Sequence, residues 1–176
     1  MKLAPNKIIE WDIKPELVKR AKKKARQMGT LNNSITGGGG NDAGFLGEEV
    51  FVDFIKTTKP HHKIIIDNSY DYDVIYPPFT GDVKTKRTNF PVLPHYEASI
   101  ANYNPNQKCD IYIFVRVMND YTKAYICGWI PKQEYFKKAT FLKTGDYDPS
   151  NNWYCKADCY NLPYSELNGF FTEEEK

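Results

Sequence analysis

The residues best equipped for chemistry lie in Asp71-Tyr72-Asp73-Val74-Ile75-Tyr76-Pro77-Pro78-Phe79-Thr80-Gly81-Asp82-Val83-Lys84-Thr85-Lys86. Two short runs of strand character, Tyr72 to Tyr76 and Asp82 to Arg87, flank a Pro-Pro-Phe-Thr-Gly turn, which reads as a β-hairpin. Alternate side chains of a strand share a face, so Asp82, Lys84 and Lys86 point one way and Val83 and Thr85 the other. A turn centred between Pro78 and Phe79 sets Tyr76 opposite Gly81, Ile75 opposite Asp82 and Asp73 opposite Lys84. Opposed residues have Cβ atoms ~5 Å apart and diagonal neighbours lie within ~7–8 Å, so Asp73 falls diagonal to Asp82 on one face. Two carboxylates and an ammonium then converge. Neither a simple core strand nor a simple solvent strand requires that, although a charged surface hairpin is the bland counterpart.

Two carboxylates that close repel each other and raise one pKa unless a cation intervenes. A hard divalent ion such as Mg²⁺ resolves the repulsion, because it takes carboxylate and carbonyl oxygens and keeps several waters. Metal-bound water is acidified toward a hydroxide nucleophile, and a nearby lysine can orient it or neutralise developing charge. The chemistry so equipped is attack of water on a phosphodiester. A third carboxylate is at hand in Gly47-Glu48-Glu49-Val50-Phe51, on the helix before the sheet. Consecutive helical residues are about 100° apart, so only one of Glu48 and Glu49 is expected to point inward. Periodicity does not separate them.

The array Gly44-Phe45-Leu46-Gly47-Glu48, then Asp73, then Asp82-Val83-Lys84 resembles the PD-(D/E)XK nuclease superfamily. The resemblance covers about residues 43–117, and Gly128-Trp129-Ile130-Pro131 is similar to a segment of phage and bacterial members. It implies a restriction-endonuclease-like core in which Asp73, Asp82 and the Val83 carbonyl hold Mg²⁺, or Mn²⁺ as a substitute. It further implies Lys84 as the catalytic lysine and Glu48 as the helix acid. The implied activity is DNA endonuclease cleavage of duplex or branched substrates, leaving a 5′-phosphate. The chain departs from the pattern in placing Tyr72, not proline, before Asp73, and Asp71 competes for the same role. Asp73-Val74-Ile75 better fits an acid that opens an apolar strand.

The elements needed to position these groups can be read along the chain. Pro15 opens a helix through Met28 with Gly29 as its stop, and Leu17, Ala21, Ala25 and Met28 form a narrow apolar stripe in a basic cylinder. Gly37-Gly38-Gly39-Gly40 reads as a hinge, which would make residues 1–36 a basic arm. Asn41 or Asp42 can cap a second helix from about Ala43 to Lys56, buried through Phe45, Leu46, Val50, Phe51 and Phe54. Strands are expected at Lys63 to Asp67, in the hairpin, at Cys109 to Met118 and at Lys123 to Ile130, with an irregular stretch from Asn89 to Gln107. Pro131 opens a short helix, Gly145 to Asn152 is loop, Trp153 to Leu162 is a further strand with an irregular edge, and 172–176 is a charged tail. This order predicts an α/β fold: a central mixed β-sheet flanked by helices over residues 42–170.

Composition narrows the setting. The chain has 176 residues, 41% hydrophobic and 26% charged, which suits one globular domain and excludes fibrous or wholly disordered classes. Its apolar runs fall far short of the ~18–20 residues of a membrane span, and nothing at the N-terminus reads as a secretory signal. Four cysteines then read as reduced thiols in the cytoplasm. Only Cys155 and Cys159 form a short cysteine pair, whereas structural zinc usually shows two. Residues 1–36 carry nine basic against three acidic side chains, within a total of +2. Lys22 and Lys23 of that arm could clamp a DNA backbone, and Lys86 and Arg87 could line a phosphate channel beside the site. Solvated surface is the alternative for each. The arm could pack on its own domain or cross to a partner subunit, leaving a homodimer open. A non-catalytic nucleic-acid-binding or assembly protein on the same fold is the second functional reading.

Overall fold

Hydrophobic patterning decides the layers. The computed structural model describes residues 8–28, 41–67, 69, 71–101 and 107–171; the Gly37–Gly40 run, Tyr103 and the tail 172–176 lie outside them. In chain order the elements are β1 (Ile9–Asp12), α1 (Pro15–Met28), α2 (Asn41–Thr58), β2 (Ile65–Ile66), β3 (Val74–Tyr76), β4 (Phe79–Thr88) and β5 (Glu97–Ala101). There follow β6 (Ile111–Met118), β7 (Lys123–Pro131), α3 (Lys132–Lys138), β8 (Thr140–Leu142), β9 (Tyr147–Asp148), β10 (Trp153–Tyr154) and β11 (Cys159–Pro163). The fold is α/β. A six-stranded sheet runs β1-β7-β6-β4-β3-β2, and it is mixed because β4 and β6 are parallel while the other neighbours are antiparallel.

Parallel neighbours need a crossover, and here the connection between β4 and β6 carries β5 into a second layer. That layer is the sheet β5-β11-β8, with the ribbon β10-β9 beside it. The continuous apolar run of β6 is explained by burial on both faces. Ile113, Val115 and Val117 pack with Leu46, Val50, Phe51, Phe54 and Ile55 of α2. Tyr112 and Phe114 pack instead with Ile130, Tyr135, Leu162 and Tyr164. Buried Tyr135 donates its hydroxyl to the carbonyls of Ala98 at 3.0 Å and Tyr160 at 2.8 Å, tying α3 to the second layer.

Several expectations are corrected. Of the two placements open to the N-terminal arm, residues 9–28 take packing on their own domain. Ile9 pairs with Ile126 as β1 closes the sheet edge, and α1 buries Leu17 and Ala21 in the same core as α2. The expected strand over 63–67 is reduced to Ile65–Ile66. The irregular stretch contains β5, and the strand expected over 153–162 divides into β10 and β11. Among the described residues no helix is long and apolar enough to cross a membrane.

Candidate active site

The β3–β4 hairpin is tighter than the turn residues suggested. Val74 pairs with Gly81, Ile75 with Thr80 and Tyr76 with Phe79, so Pro77-Pro78 alone makes the turn. The register is thus shifted by two residues, and Asp73 comes level with Asp82 instead of Lys84. Asp73 donates its N–H to the Gly81 carbonyl at 2.9 Å. Strand pairing stops at Val74, and the Asp73 carboxylate takes over where it stops: Val83 N–H donates to Asp73 Oδ2 at 2.8 Å. The N–H and C=O of one strand residue face the same neighbour, so the Val83 carbonyl also faces this edge.

The expected alternation along β4 holds. Lys84 and Lys86 line one cavity, while Thr85 meets α2 and Arg87 bonds Asp42 Oδ1 at 2.7 Å on the helical side. Asp82, only 3% exposed, accepts from Lys84 Nζ at 2.9 Å, and that ammonium also lies 5.7 Å from the centre of the Tyr112 ring. From the other side α2 comes down on β4 at Gly47, where a Cβ would stand 1.8 Å from Thr85 Oγ1. This contact seats the next residue, Glu48, at the hairpin. Glu48 and Asp73 together line a cavity of about 240 Å³.

Both helix acids are buried, which corrects the expectation that only one would turn inward. They differ in partners. Glu49 accepts from Arg20 at 2.8 Å and Lys24 at 2.9 Å, both on α1. Glu48 Oε2 is buried with no hydrogen-bond partner among the described residues. Burial, then the Asp73 charge, pushes the Glu48 carboxyl up to about 9. Burial, then the Asp82 charge, pushes Asp73 up to about 7 against the opposing pull of Val83 N–H and Lys84. Three acids thus crowd one another at the point where α2, β3 and β4 meet.

Among the described residues no three His, Cys, Asp or Glu side chains stand as a formed metal cage. The Asp82 carboxylate accepts from Lys84 Nζ and that of Asp73 from Val83 N–H. The donor set nevertheless suits a hard cation. It comprises all-oxygen ligands, one of them an orphaned buried carboxylate oxygen, in mutual repulsion that a divalent ion would relieve. No protein-family model matches the chain, and neither does any curated protein sequence.

The four cations expected to meet nucleic acid do not form one track. Lys86 is drawn inward, with Nζ 2.7 Å from Ser99 Oγ, and burial followed by the Arg116 charge lowers its pKa to about 8. Arg87 and Lys22 meet on the helical side over the Tyr121 ring, at 5.4 and 5.8 Å from its centre. Lys23 is exposed on α1. What the sequence did not connect to Lys84 is the second layer: Ser99, Asp148, Trp153 and Asn161 share a cavity of about 500 Å³ with it. Ser99 and Asn161 reach it through the β5–β11 pairing of distant segments, for which no local signal exists, and Asp148 and Trp153 come from the β9–β10 ribbon.

Proposed function

We propose that the chain is a Mg²⁺-dependent DNA endonuclease of the PD-(D/E)XK kind, on a restriction-endonuclease-like core. The observation that carries this reading is the crowding of Glu48, Asp73 and Asp82 beside Lys84, with Glu48 Oε2 left without a partner among the described residues. Asp73, Asp82, the Val83 carbonyl and Glu48 would hold the cation. When bound, Mg²⁺ supplies an acidified water and takes up negative charge on the phosphoryl group.

The protein's own groups do the rest. Asp82 holds the Lys84 ammonium beside the site. From there its N–H donors can orient the attacking water or meet charge developing on a phosphate oxygen. Asp73 fixes the edge of β4 through Val83 N–H, so that the Val83 carbonyl stays aimed at the same place. Glu48 closes the site from α2. Water oxygen bonds to phosphorus, the P–O3′ bond breaks, and the proton passes to the departing 3′ oxygen, leaving a 5′-phosphate. Exposed Lys22, Lys23 and Arg87 would add backbone affinity that falls with salt.

The test is nicking of supercoiled plasmid and of a branched duplex in Mg²⁺, in Mn²⁺ and in EDTA. Cutting should require the metal and be abolished in Asp82→Ala and Lys84→Ala variants that remain folded. Undiminished cutting by both variants removes the assignment. Tight DNA binding without cleavage in any metal favours a nucleic-acid-binding scaffold instead.

A further inference from the structure

All four cysteines are free thiols, and Cys155 and Cys159 bring theirs together, Sγ to Sγ 4.0 Å. Cys109 and Cys127 are sealed elsewhere, 5% and 0% exposed in the cluster around Tyr112 and Phe114, where Cys127 Sγ donates to the Tyr125 carbonyl at 3.4 Å. Each member of the close pair is held by its own backbone. Cys155 donates its N–H to the Asp146 carbonyl and accepts from Gly145 N–H, both at 2.8 Å, which ties it to the ribbon end. Cys159 lies in β11 between Ala101 of β5 and Leu142 of β8. Between them Asp158 Oδ1 accepts from Thr144 N–H at 2.7 Å and from its hydroxyl at 2.9 Å. The chain ends are thus fixed independently of the sulfurs, and the entropy of bringing the thiols together is already lost in folding. Closing a bridge asks the sulfurs to approach by about 2 Å, a step of the size a χ1 turn provides.

The surroundings favour a bridge over a metal. A structural zinc takes four ligands, and among the described residues no group of three His, Cys, Asp or Glu could hold an ion. Both thiols line the cavity of about 500 Å³ that also holds Lys84 and Lys86. Cys155 is 4% exposed and Cys159 is half-buried, so a small reagent meets Cys159 first. Burial, then Cys155, raises the Cys159 thiol above its ordinary pKa; Lys86 on β4 opposes this, Asp148 on β9 adds to it, and Tyr135 on α3 is a further titratable neighbour. Exchange at Cys159 is therefore slow at neutral pH and quickens as pH rises.

We propose that Cys155 and Cys159 form a reversible disulfide site, closed by small-molecule disulfides and opened by small thiols, which staples the β9–β10 ribbon to β11 at the wall of this cavity. The Cys159 thiolate attacks one sulfur of a disulfide such as glutathione disulfide, whose S–S bond breaks to release one thiolate. The Cys155 thiolate then attacks the Cys159 sulfur and releases the second. Two cysteines lose two electrons, the glutathione disulfide becomes two thiols, and the two cysteine protons pass to them. The site does not depend on the nuclease reading and would stand if no DNA were cut.

The test equilibrates the reduced full chain with glutathione disulfide at pH 8.5, quenches with acid, alkylates the remaining thiols after unfolding and maps the peptides by mass. The product should lack two hydrogens, carry a Cys155–Cys159 link and alkylate only at Cys109 and Cys127, and dithiothreitol should restore all four thiols. Its Tm should rise by about 4–8 °C, as closing so short a loop does in a chain of this size. Oxidation at pH 7 should run more than tenfold slower than at pH 8.5. Cys155→Ser should stop at one glutathione on Cys159. Four free thiols at equilibrium overturn the proposal in the unaltered chain, as does a bridge that includes Cys109 or Cys127. A lasting glutathione adduct on Cys159 with Cys155 present overturns it equally.

Discussion

Replacing Gly47 with alanine isolates the contact that brings the helix acid to the hairpin. A Cβ at this position would stand 1.8 Å from Thr85 Oγ1 and 2.9 Å from both Thr85 Cβ and Cγ2. Turning the threonine about χ1 can move Oγ1 and Cγ2 away but leaves its Cβ in place. Carbon atoms rest at about 3.5–4.0 Å, so α2 must lift from β4 by roughly 0.6–1 Å. Overpacking of this kind costs ~1–3 kcal/mol, offset by about 1 kcal/mol from the better helix propensity of alanine. Stability should therefore fall by no more than about 2 kcal/mol, a drop of roughly 4–8 °C in Tm. Activity should fall much further, because Glu48 is the next residue and a misplacement of about 1 Å can cost ~100-fold. Thermal unfolding and metal-dependent nicking, measured on one preparation, read both effects. A Gly47→Ala/Thr85→Gly double variant should recover much of the lost nicking, since it removes all three clashing atoms, the immovable Cβ included. A Gly47→Ala protein with unchanged Tm and unchanged nicking would refute the reasoning.

The two helix acids should respond in opposite senses. Glu48→Gln should abolish nicking yet raise the metal-free Tm, because it removes a buried, repelled acid; Glu49→Gln should lower Tm by loosening Arg20 and Lys24 on α1, by about 1–3 kcal/mol, while metal-dependent nicking persists. Equal effects of the two on Tm and nicking would contradict the division of roles. Stability without metal should also depend on pH. Asp73 and Glu48 are raised in the folded state, from ordinary values of 3.8 and 4.5 to about 7 and 9. The folded protein therefore holds protons that the unfolded chain has released, and the associated stability is present at pH 4 and lost as pH rises through 7 toward 9. Tm in EDTA should fall between pH 5 and pH 9, and Mg²⁺ should restore most of the difference at the alkaline end. A Tm in EDTA that is flat or rising over that span contradicts the crowding of the acids.

The sequence and the structure agree where patterns are long and differ where they are short. The unbroken apolar run of β6 and the buried positions of α2 were legible because each fills many consecutive sites in one period. Alternation along β4 was legible for the same reason, and it placed Lys84 and Lys86 together. The hairpin register was not, because Phe79, Thr80 and Gly81 look like turn residues yet pair as strand once Pro77-Pro78 closes the loop. The role of α1 was hidden by its charge. Its basic face reads as solvated or DNA-seeking until Glu49 is placed beneath Arg20 and Lys24. Strands of two or three residues, such as β8, β9 and β10, carry too little pattern to be seen locally. The partner of β8 is distant in sequence, β9 and β10 pair only with each other, and the cavity they help wall off could not be foreseen from such short runs.

Asp73, Asp82, the Val83 carbonyl and Glu48 are proposed to gather around one divalent cation. Anomalous diffraction from a crystal soaked in Mn²⁺ tests it directly. The expected result is a peak about 2.0–2.2 Å from carboxylate oxygens of both Asp73 and Asp82, with Lys84 Nζ turned away from Asp82 toward the open side of the ion. Manganese bound only elsewhere, with Lys84 still closed on Asp82 and Glu48 Oε2 still without a partner among the described residues, would contradict it.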